Sequence, residues 1–180
     1  MSAPWVFGYG SLVWRPAFDH RRSAPARVFG WTRRFWQASP DHRGTPDDPG
    51  RVVTVLPGEG WLDGRAFQLP EAPDAILAAL DHRERAGYVR AVVEAHLPGG
   101  EVVSALLYAA GRDNPNFVGE APLDDLARRI NRCAGPSGPN DEYVFRLAQA
   151  LRGQRAVDEH VFAVEAAVRA AARAPTAGSC

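Results

Sequence analysis

Hydrophobic residues in the first half of the chain occur in short runs that glycine and proline interrupt. This pattern is typical of β-strands, and it predicts strands at residues 5–7, 26–36, 51–56 and 64–69. The last two strands are separated by residues 57–60, Pro-Gly-Glu-Gly, which are expected to form a turn or loop.

The middle of the chain changes to a helical period and then returns to strands. Ile76, Leu80 and Glu84 are spaced four residues apart, so a helix that begins near Pro73 and persists to Glu84 would place all three on one face. Two apolar runs, at residues 88–97 and 102–109, flank a Pro-Gly-Gly-Glu segment and predict a β-hairpin.

Helical spacing dominates the last third. One helix is expected to end at Gly135, Asn140 is expected to cap a second helix, and a third is predicted at about residues 158–173. Because strands and helices do not alternate regularly, the pattern favours an α+β fold with a compact, barrel-like mixed β-sheet and surrounding helices. The length of 180 residues fits one domain, predicted at residues 1–173, followed by a flexible tail at 174–180.

Composition narrows the possible partners and chemistry. The 21 basic residues balance 21 acidic residues, which argues against nucleic acid as a partner. All of the basic residues are arginine, so lysine Schiff-base chemistry and a P-loop are excluded. Because the sequence shows neither a leader peptide nor an apolar run of roughly 20 residues, we expect a cytoplasmic protein with no membrane partner. Protein partners and oligomeric state are not predicted.

The segment Gly8-Tyr9-Gly10-Ser11-Leu12-Val13 is the first candidate for chemistry. It departs from the dinucleotide fingerprint at Val13, and Ser11 is not framed as in a nucleophile elbow. Two interpretations stay open. The backbone N–H groups of this loop face a small anion or an oxyanion, or the loop is a tight turn with Tyr9 packed in the core.

The histidines and cysteines are scattered, so the sequence predicts no metal site and no cofactor. Asp41-His42 and the pair Asp158 and His160 are candidate metal ligands, but surface-loop and helix-cap roles are favoured for them. Cys133 is expected to be a small core residue.

Glu84 is the carboxylate of greatest interest, because its position places it on the apolar stripe of a predicted helix. It is either a general base in an apolar pocket or a member of a buried ion pair with Arg83 or Arg85.

Four motifs follow one another along the chain. They are FGYGSLVW at residues 7–14; RRFWQ at 33–37 with DHRGTP at 41–46 and PGRVV at 49–53; Arg83-Glu84 before Gly87-Tyr88; and GPSGPN at 135–140 with Glu142-Tyr143. In their order along the chain and in their residues, these motifs closely resemble those of the ChaC-type γ-glutamylcyclotransferases. The resemblance spans about residues 5–160.

The resemblance implies a barrel-like fold and an enzyme that cyclises a γ-glutamyl group to 5-oxoproline, releasing cysteinylglycine when the substrate is glutathione. It also implies roles for particular residues: Glu84 as the catalytic acid/base, Tyr9, Gly10, Ser11 and Leu12 as a loop that holds the γ-glutamyl group through its backbone, and Tyr143 as a residue that helps to close the pocket.

Chemistry agrees with that implication, because the nucleophile is the α-amine of the substrate and no enzyme nucleophile is needed. Alternatives are cyclisation of γ-glutamyl amino acids or γ-glutamylamines, and a non-catalytic protein that binds a γ-glutamyl metabolite. A preference for glutathione would require a group that binds its glycine carboxylate. Arginines such as Arg34 and Arg43 could bind it, and the sequence does not decide between the arginines.

Overall fold

Two long antiparallel strands form the centre of the part of the chain that the computed structural model describes, residues 4–83 and 87–173. Strand β2 (Arg22–Ser39) pairs with β3 (Gly50–Gln68) from the Arg22–Gln68 pair to the Ser39–Gly50 pair. The register shifts twice along this pair, as β-bulges do. Because bulges bend strands and increase their twist, they let so long a pair curve around a core.

The remaining strands close this curved pair into a barrel. They are β1 (Trp5–Gly8), β4 (Val89–His96) and β5 (Val102–Ala109). The strand order is β1-β3-β2-β4-β5, with β1 antiparallel to β3 and parallel to β5, so the sheet is mixed. The structure confirms the predicted barrel-like α+β fold and the predicted hairpin of β4 and β5.

The prediction that residues 57–60 form a turn or loop between two strands was wrong. They do not separate two strands, because β3 runs through them without a break. Pro57 pairs with Trp31 of β2, and Gly60 has a φ of +107°, a left-handed conformation that glycine adopts without strain. Residues 58–60 fall between the Trp31–Pro57 pair and the Phe29–Trp61 pair, where the register shifts, so the segment forms a β-bulge within one strand and not a turn between two.

Helix α1 lies between β3 and β4 in the sequence, whereas the other three helices follow β5. Their bounds are α1 Asp74–Arg83, α2 Leu123–Arg132, α3 Asn140–Gly153 and α4 Glu159–Arg173. Short 3-10 turns span Ser11–Val13 and Pro98–Gly100, and the two-residue strands β6 (Ala134–Gly135) and β7 (Gly138–Pro139) precede α3. Across the described ranges, none of these helices is long and apolar enough to cross a membrane.

The predicted roles of Gly135 and Asn140 were wrong. Helix α2 ends at Arg132, and a Cβ atom on Gly135 would lie 2.4 Å from the carbonyl oxygen of His42, so glycine is needed there for close backbone approach. Asn140 begins α3 without capping it. Its amide accepts a hydrogen bond from the N–H of Arg51 at 2.6 Å and donates one to the carbonyl of Arg51 at 2.7 Å.

The main core lies between the barrel and helices α2, α3 and α4. Its most buried side chains include Phe7 and Phe35 from the barrel and Leu147 and Val164 from the helices. Each such side chain contributes roughly 1.5–3 kcal/mol on burial. Helix α1 instead covers the outside of the barrel, where Leu80 joins a smaller apolar cluster. The predicted tail at 174–180 lies outside the described residues, so the domain boundary stays a prediction.

A buried polar cluster connects α4 to β2. The guanidinium of Arg33, almost fully buried, donates to Asp158 at 2.7 Å and to the carbonyl of Asp63. The other carboxylate oxygen of Asp158 accepts a hydrogen bond from the N–H of Val161 at 3.0 Å, which confirms the favoured cap role. In residues 4–83 and 87–173, no group of His, Cys, Asp and Glu is arranged to hold a metal ion.

His160 belongs to the same cluster and accepts a hydrogen bond from the N–H of Phe35 at 3.0 Å. Burial, together with the charges of Arg34 and Arg33, lowers the pKa of His160 to about 4. The imidazole is therefore neutral at neutral pH and acts as an acceptor.

This pKa predicts a loss of stability in acid. Between pH 6.5 and about 4 the unfolded chain binds a proton at His160 that the folded protein does not, so the free energy of unfolding should fall as pH is lowered through that window. The contribution of this group is on the order of 3 kcal/mol. Thermal unfolding of the wild type and of His160→Gln, whose amide oxygen can still accept from Phe35, would measure it. An equally steep pH dependence in His160→Gln would contradict the assignment.

Candidate active site

A pocket of about 370 Å³ lies beside the loop that follows β1. This volume is in the range of small-molecule sites. Its wall comes from that loop, from the end of β2 with the loop after it, and from the start of β3. The wall is completed by Tyr88, Tyr108, Asn116, Ser137 and Tyr143. Residues distant in sequence thus meet around one cavity.

The loop after β1 is both a tight turn and a pocket wall. Tyr9, Gly10, Ser11 and Leu12 all line the pocket. A 3-10 turn follows Gly10, whose carbonyl accepts a hydrogen bond from the N–H of Val13 at 3.0 Å. Tyr9 is buried, and its hydroxyl donates to the carbonyl of Tyr108 at 2.7 Å. The two interpretations that the sequence left open are therefore compatible with each other.

Tyr143 lies in the first turns of α3 and packs directly against this loop. A Cβ atom on Gly10 would lie 2.9 Å from the hydroxyl oxygen of Tyr143, so a side chain at position 10 would press on the tyrosine. The Tyr143 ring makes an edge contact with Trp14 at 5.3 Å between ring centroids and another with Phe35 at 6.2 Å. The tyrosine is held on several sides, which fixes the shape of the pocket.

The DHRG segment forms the next part of the wall. Arg43 is buried, and its guanidinium donates to the carbonyl of Pro139 at 2.8 Å and to Glu142 at 3.1 Å. Its charge and hydrogen bond lower the pKa of Glu142. The Arg43 guanidinium also lies 5.7 Å from the centroid of the Tyr143 ring. Arg43 thus joins the DHRG loop to the start of α3.

His42 and Asp41 line the pocket, although the sequence favoured a surface role for them. His42 is exposed, as that role requires, but its Nδ1 lies 3.1 Å from the hydroxyl of Ser137, another lining residue. The DHRG motif pointed to this segment without assigning its side chains a function. Arg34, named as a candidate for binding carboxylate, does not line the pocket and donates to the carbonyl of Arg33 at 2.7 Å.

Sequence analysis did not predict that Tyr108, Asp81 and Arg90 form a hydrogen-bonded network beside the pocket. The hydroxyl of Tyr108, which lines the pocket, donates to Asp81 near the end of α1 at 2.9 Å. Arg90 donates to the same carboxylate at 2.7 Å and lowers its pKa, while burial raises the pKa of Tyr108. This network ties the last turns of α1 to the pocket. Only the folded barrel brings these three residues together.

Glu84, the predicted acid/base, lies outside the described residues. The residues on each side of it contact the pocket wall, because Asp81 bonds to Tyr108 and Tyr88 lines the cavity. Arg85, one of its candidate partners, also lies outside the described residues.

Comparisons with known proteins match nearly the whole chain. A family model described as ChaC-like protein matches residues 4–171. Glutathione-specific gamma-glutamylcyclotransferase 1 of Danio rerio is 40% identical over 183 residues, covering 96% of this chain and 92% of that protein. Glutathione-specific gamma-glutamylcyclotransferase of Schizosaccharomyces pombe is 36% identical over 186 residues, covering 92% of each. A crystal structure of the γ-glutamyl cyclotransferase specific to glutathione from yeast is 30% identical, with a TM-score of 0.87 over 95% of this chain and 97% of that chain.

The closeness of Gly10 and Tyr143 can be tested by measuring how substitutions at the two positions affect stability together. Gly10→Val should destabilise the fold by roughly 1–3 kcal/mol, because the added side chain forces Tyr143 out of its packing. Tyr143→Phe removes the atom that the new Cβ would meet first, so the double variant should lose less stability than the two single losses added together. Chemical denaturation of the four proteins measures this coupling. Strictly additive losses would show that the two residues do not press on one another.

Proposed function

This chain belongs to the ChaC-like protein family, and from that membership we propose that it is a γ-glutamylcyclotransferase that cleaves glutathione to 5-oxoproline and cysteinylglycine. The observation that carries the proposal is the convergence of separate family motifs on one pocket, in a chain that is 40% identical to a relative named for this activity.

The reaction is an intramolecular transfer of an acyl group. The α-amine of the γ-glutamyl residue attacks its own γ-carbonyl carbon, forming the five-membered ring through a tetrahedral intermediate. The bond from that carbon to the cysteine nitrogen then breaks, and the departing amine takes up a proton. Because nucleophile and electrophile belong to one molecule, orientation supplies much of the acceleration.

The enzyme then has to supply a base for the α-ammonium, donors for the oxyanion and an acid for the leaving amine. We assign the donors to the backbone of the loop formed by Tyr9, Gly10, Ser11 and Leu12, since fixed N–H groups need no reorganisation as charge develops. The position of this loop on the pocket supports the assignment. Tyr143 closes the side of the pocket next to Gly10.

The base and the acid are assigned to one carboxylate, that of Glu84. A group that accepts the proton from the α-ammonium can return it to the leaving nitrogen, so a single residue serves both steps. The assignment is supported by the neighbours of Glu84 in sequence, because Asp81 and Tyr88 both contact the pocket wall. This scheme calls on no metal and no cofactor.

The first test is incubation of the purified protein with glutathione, followed by identification of the products. We expect 5-oxoproline and cysteinylglycine in equal amounts, with no need for added metal, nucleotide or flavin. We also expect a higher kcat/KM for glutathione than for γ-glutamylalanine, since selectivity is a difference in transition-state binding.

Two results would change the proposal in different ways. Equal efficiency on γ-glutamylalanine would keep the cyclisation chemistry and assign a broader γ-glutamyl substrate range. Binding of glutathione without any 5-oxoproline would leave a non-catalytic γ-glutamyl-binding protein.

The second test is Glu84→Gln, which keeps the shape of the side chain and removes its ability to accept a proton. We expect a folded protein whose kcat falls by roughly 10²- to 10⁴-fold. Glu71→Gln is a matched control, because Glu71 is an exposed carboxylate paired with Arg21 away from the pocket lining. A Glu84→Gln protein with near-normal kcat would assign Glu84 to a structural ion pair instead.

A further inference from the structure

Few charged side chains line the pocket, and the buried one, Arg43, is already paired. Arg43 is buried against Glu142 and the carbonyl of Pro139. Asp41 and His42 lie side by side, with 3.8 Å between carboxylate oxygen and ring nitrogen. Because the charge of Arg43 is balanced by Glu142, this arginine is committed to holding the start of α3.

Arg15 is different from these residues. It lines the pocket and is exposed, and its guanidinium makes no hydrogen bond or ion pair with any residue in 4–83 or 87–173. Its backbone is nevertheless fixed, since its N–H donates to the carbonyl of Ser11 at 2.8 Å and Pro16 follows it. Arg15 therefore places a positive charge at the pocket. Its backbone is fixed, and its guanidinium is available to bind a ligand.

The pocket is graded from an enclosed floor to an open mouth. The floor contains Phe7, Tyr9 and Val53, which are 1%, 8% and 3% exposed. Arg15, on the exposed part of the lining, belongs to the mouth. The reacting γ-glutamyl end gains most from the enclosed floor, where donors act at low dielectric. The opposite end of the substrate therefore extends towards the mouth.

We propose that Arg15 binds the glycine carboxylate of glutathione and so selects the tripeptide over shorter γ-glutamyl compounds. This inference rests on the proposed function. An arginine fork matches a carboxylate with two parallel hydrogen bonds. Because the contact is made far from the reacting atoms, it is equally strong in the ground state and the transition state, so its loss raises KM and leaves kcat nearly unchanged.

The test pairs a change in the enzyme with a change in the substrate. Glutathione and its analogue with the glycine carboxylate converted to an amide are compared by kcat/KM, measured as release of 5-oxoproline. The wild type should prefer glutathione by roughly 5- to 30-fold, the range for a hydrogen-bonded charge pair that is partly open to water. Arg15→Gln should reduce that preference to near unity, through KM. Arg15→Lys, which keeps the charge and loses the fork, should retain part of it.

Arg34→Gln is the matched control, because Arg34 lies off the pocket and was, with Arg43, one of the arginines that the sequence suggested. It should keep the full preference for glutathione. Raising the salt concentration should weaken the preference of the wild type and leave that of Arg15→Gln unchanged, since exposed charges are screened. Melting temperatures confirm that each variant is folded.

Several outcomes would overturn the proposal. If Arg15→Gln loses the same activity on both substrates, Arg15 contacts another part of glutathione. If Arg15→Gln keeps the full preference, or Arg34→Gln loses it as well, Arg15 does not bind the glycine carboxylate specifically. A wild type that does not distinguish the two substrates contradicts it directly. A wild type that forms no 5-oxoproline from glutathione fails at the proposed function itself, which separates that failure from the others.

Discussion

The close approach of α3 to the barrel determines the shape of the pocket. Asn140, at the start of this helix, hydrogen-bonds to both backbone groups of Arg51 on β3. Tyr143 follows one turn later, facing the same way, and meets the loop at Gly10. Arg43 then bonds to the carbonyl of Pro139 and to Glu142, on either side of the helix start. A shift of α3 would therefore alter the loop after β1, the DHRG segment and the tyrosine wall together.

The same helical layer is fixed at a second point by buried charge. Arg33 of β2 is almost fully buried, and Asp158 compensates its charge. The second carboxylate oxygen of Asp158 caps the start of α4 by accepting a hydrogen bond from the N–H of Val161. Removing one partner of such a pair leaves an uncompensated charge, which costs roughly 3–5 kcal/mol. His160 lies beside these charges and must stay neutral, because burial disfavours its protonated form. The pair therefore ties the start of α4 to β2, and α3 and α4 pack together in the same core.

Sequence patterns predicted the elements whose cause is local. The hairpin of β4 and β5 and helix α4 have apolar periods that need no distant partner to be recognised. The wrong predictions concern residues whose structure depends on partners far away in the sequence. Residues 57–60 form a bulged part of β3, where Pro57 pairs with β2 and the register then shifts, and Asn140 hydrogen-bonds to the backbone of Arg51, far away in sequence. In the site, the loop residues are recognisable from their motif. The roles of Arg15 and Tyr108 depend on the side chains that the fold places around them, and the sequence does not reveal those neighbours.

A pocket with closely packed walls suits the proposed reaction, whose nucleophile is already part of the substrate. An extended γ-glutamyl arm holds its amine away from its γ-carbonyl, so the principal task is to bind the folded conformer that precedes ring closure. Well-packed walls serve this task, and Tyr143 is held by contacts with Trp14, Phe35 and Arg43. In the proposed reaction the departing cysteinylglycine, by contrast, leaves through the exposed part of the pocket. The proposed selection by the exposed Arg15 suits product release, since a screened contact binds the far end of the substrate without retaining the product tightly.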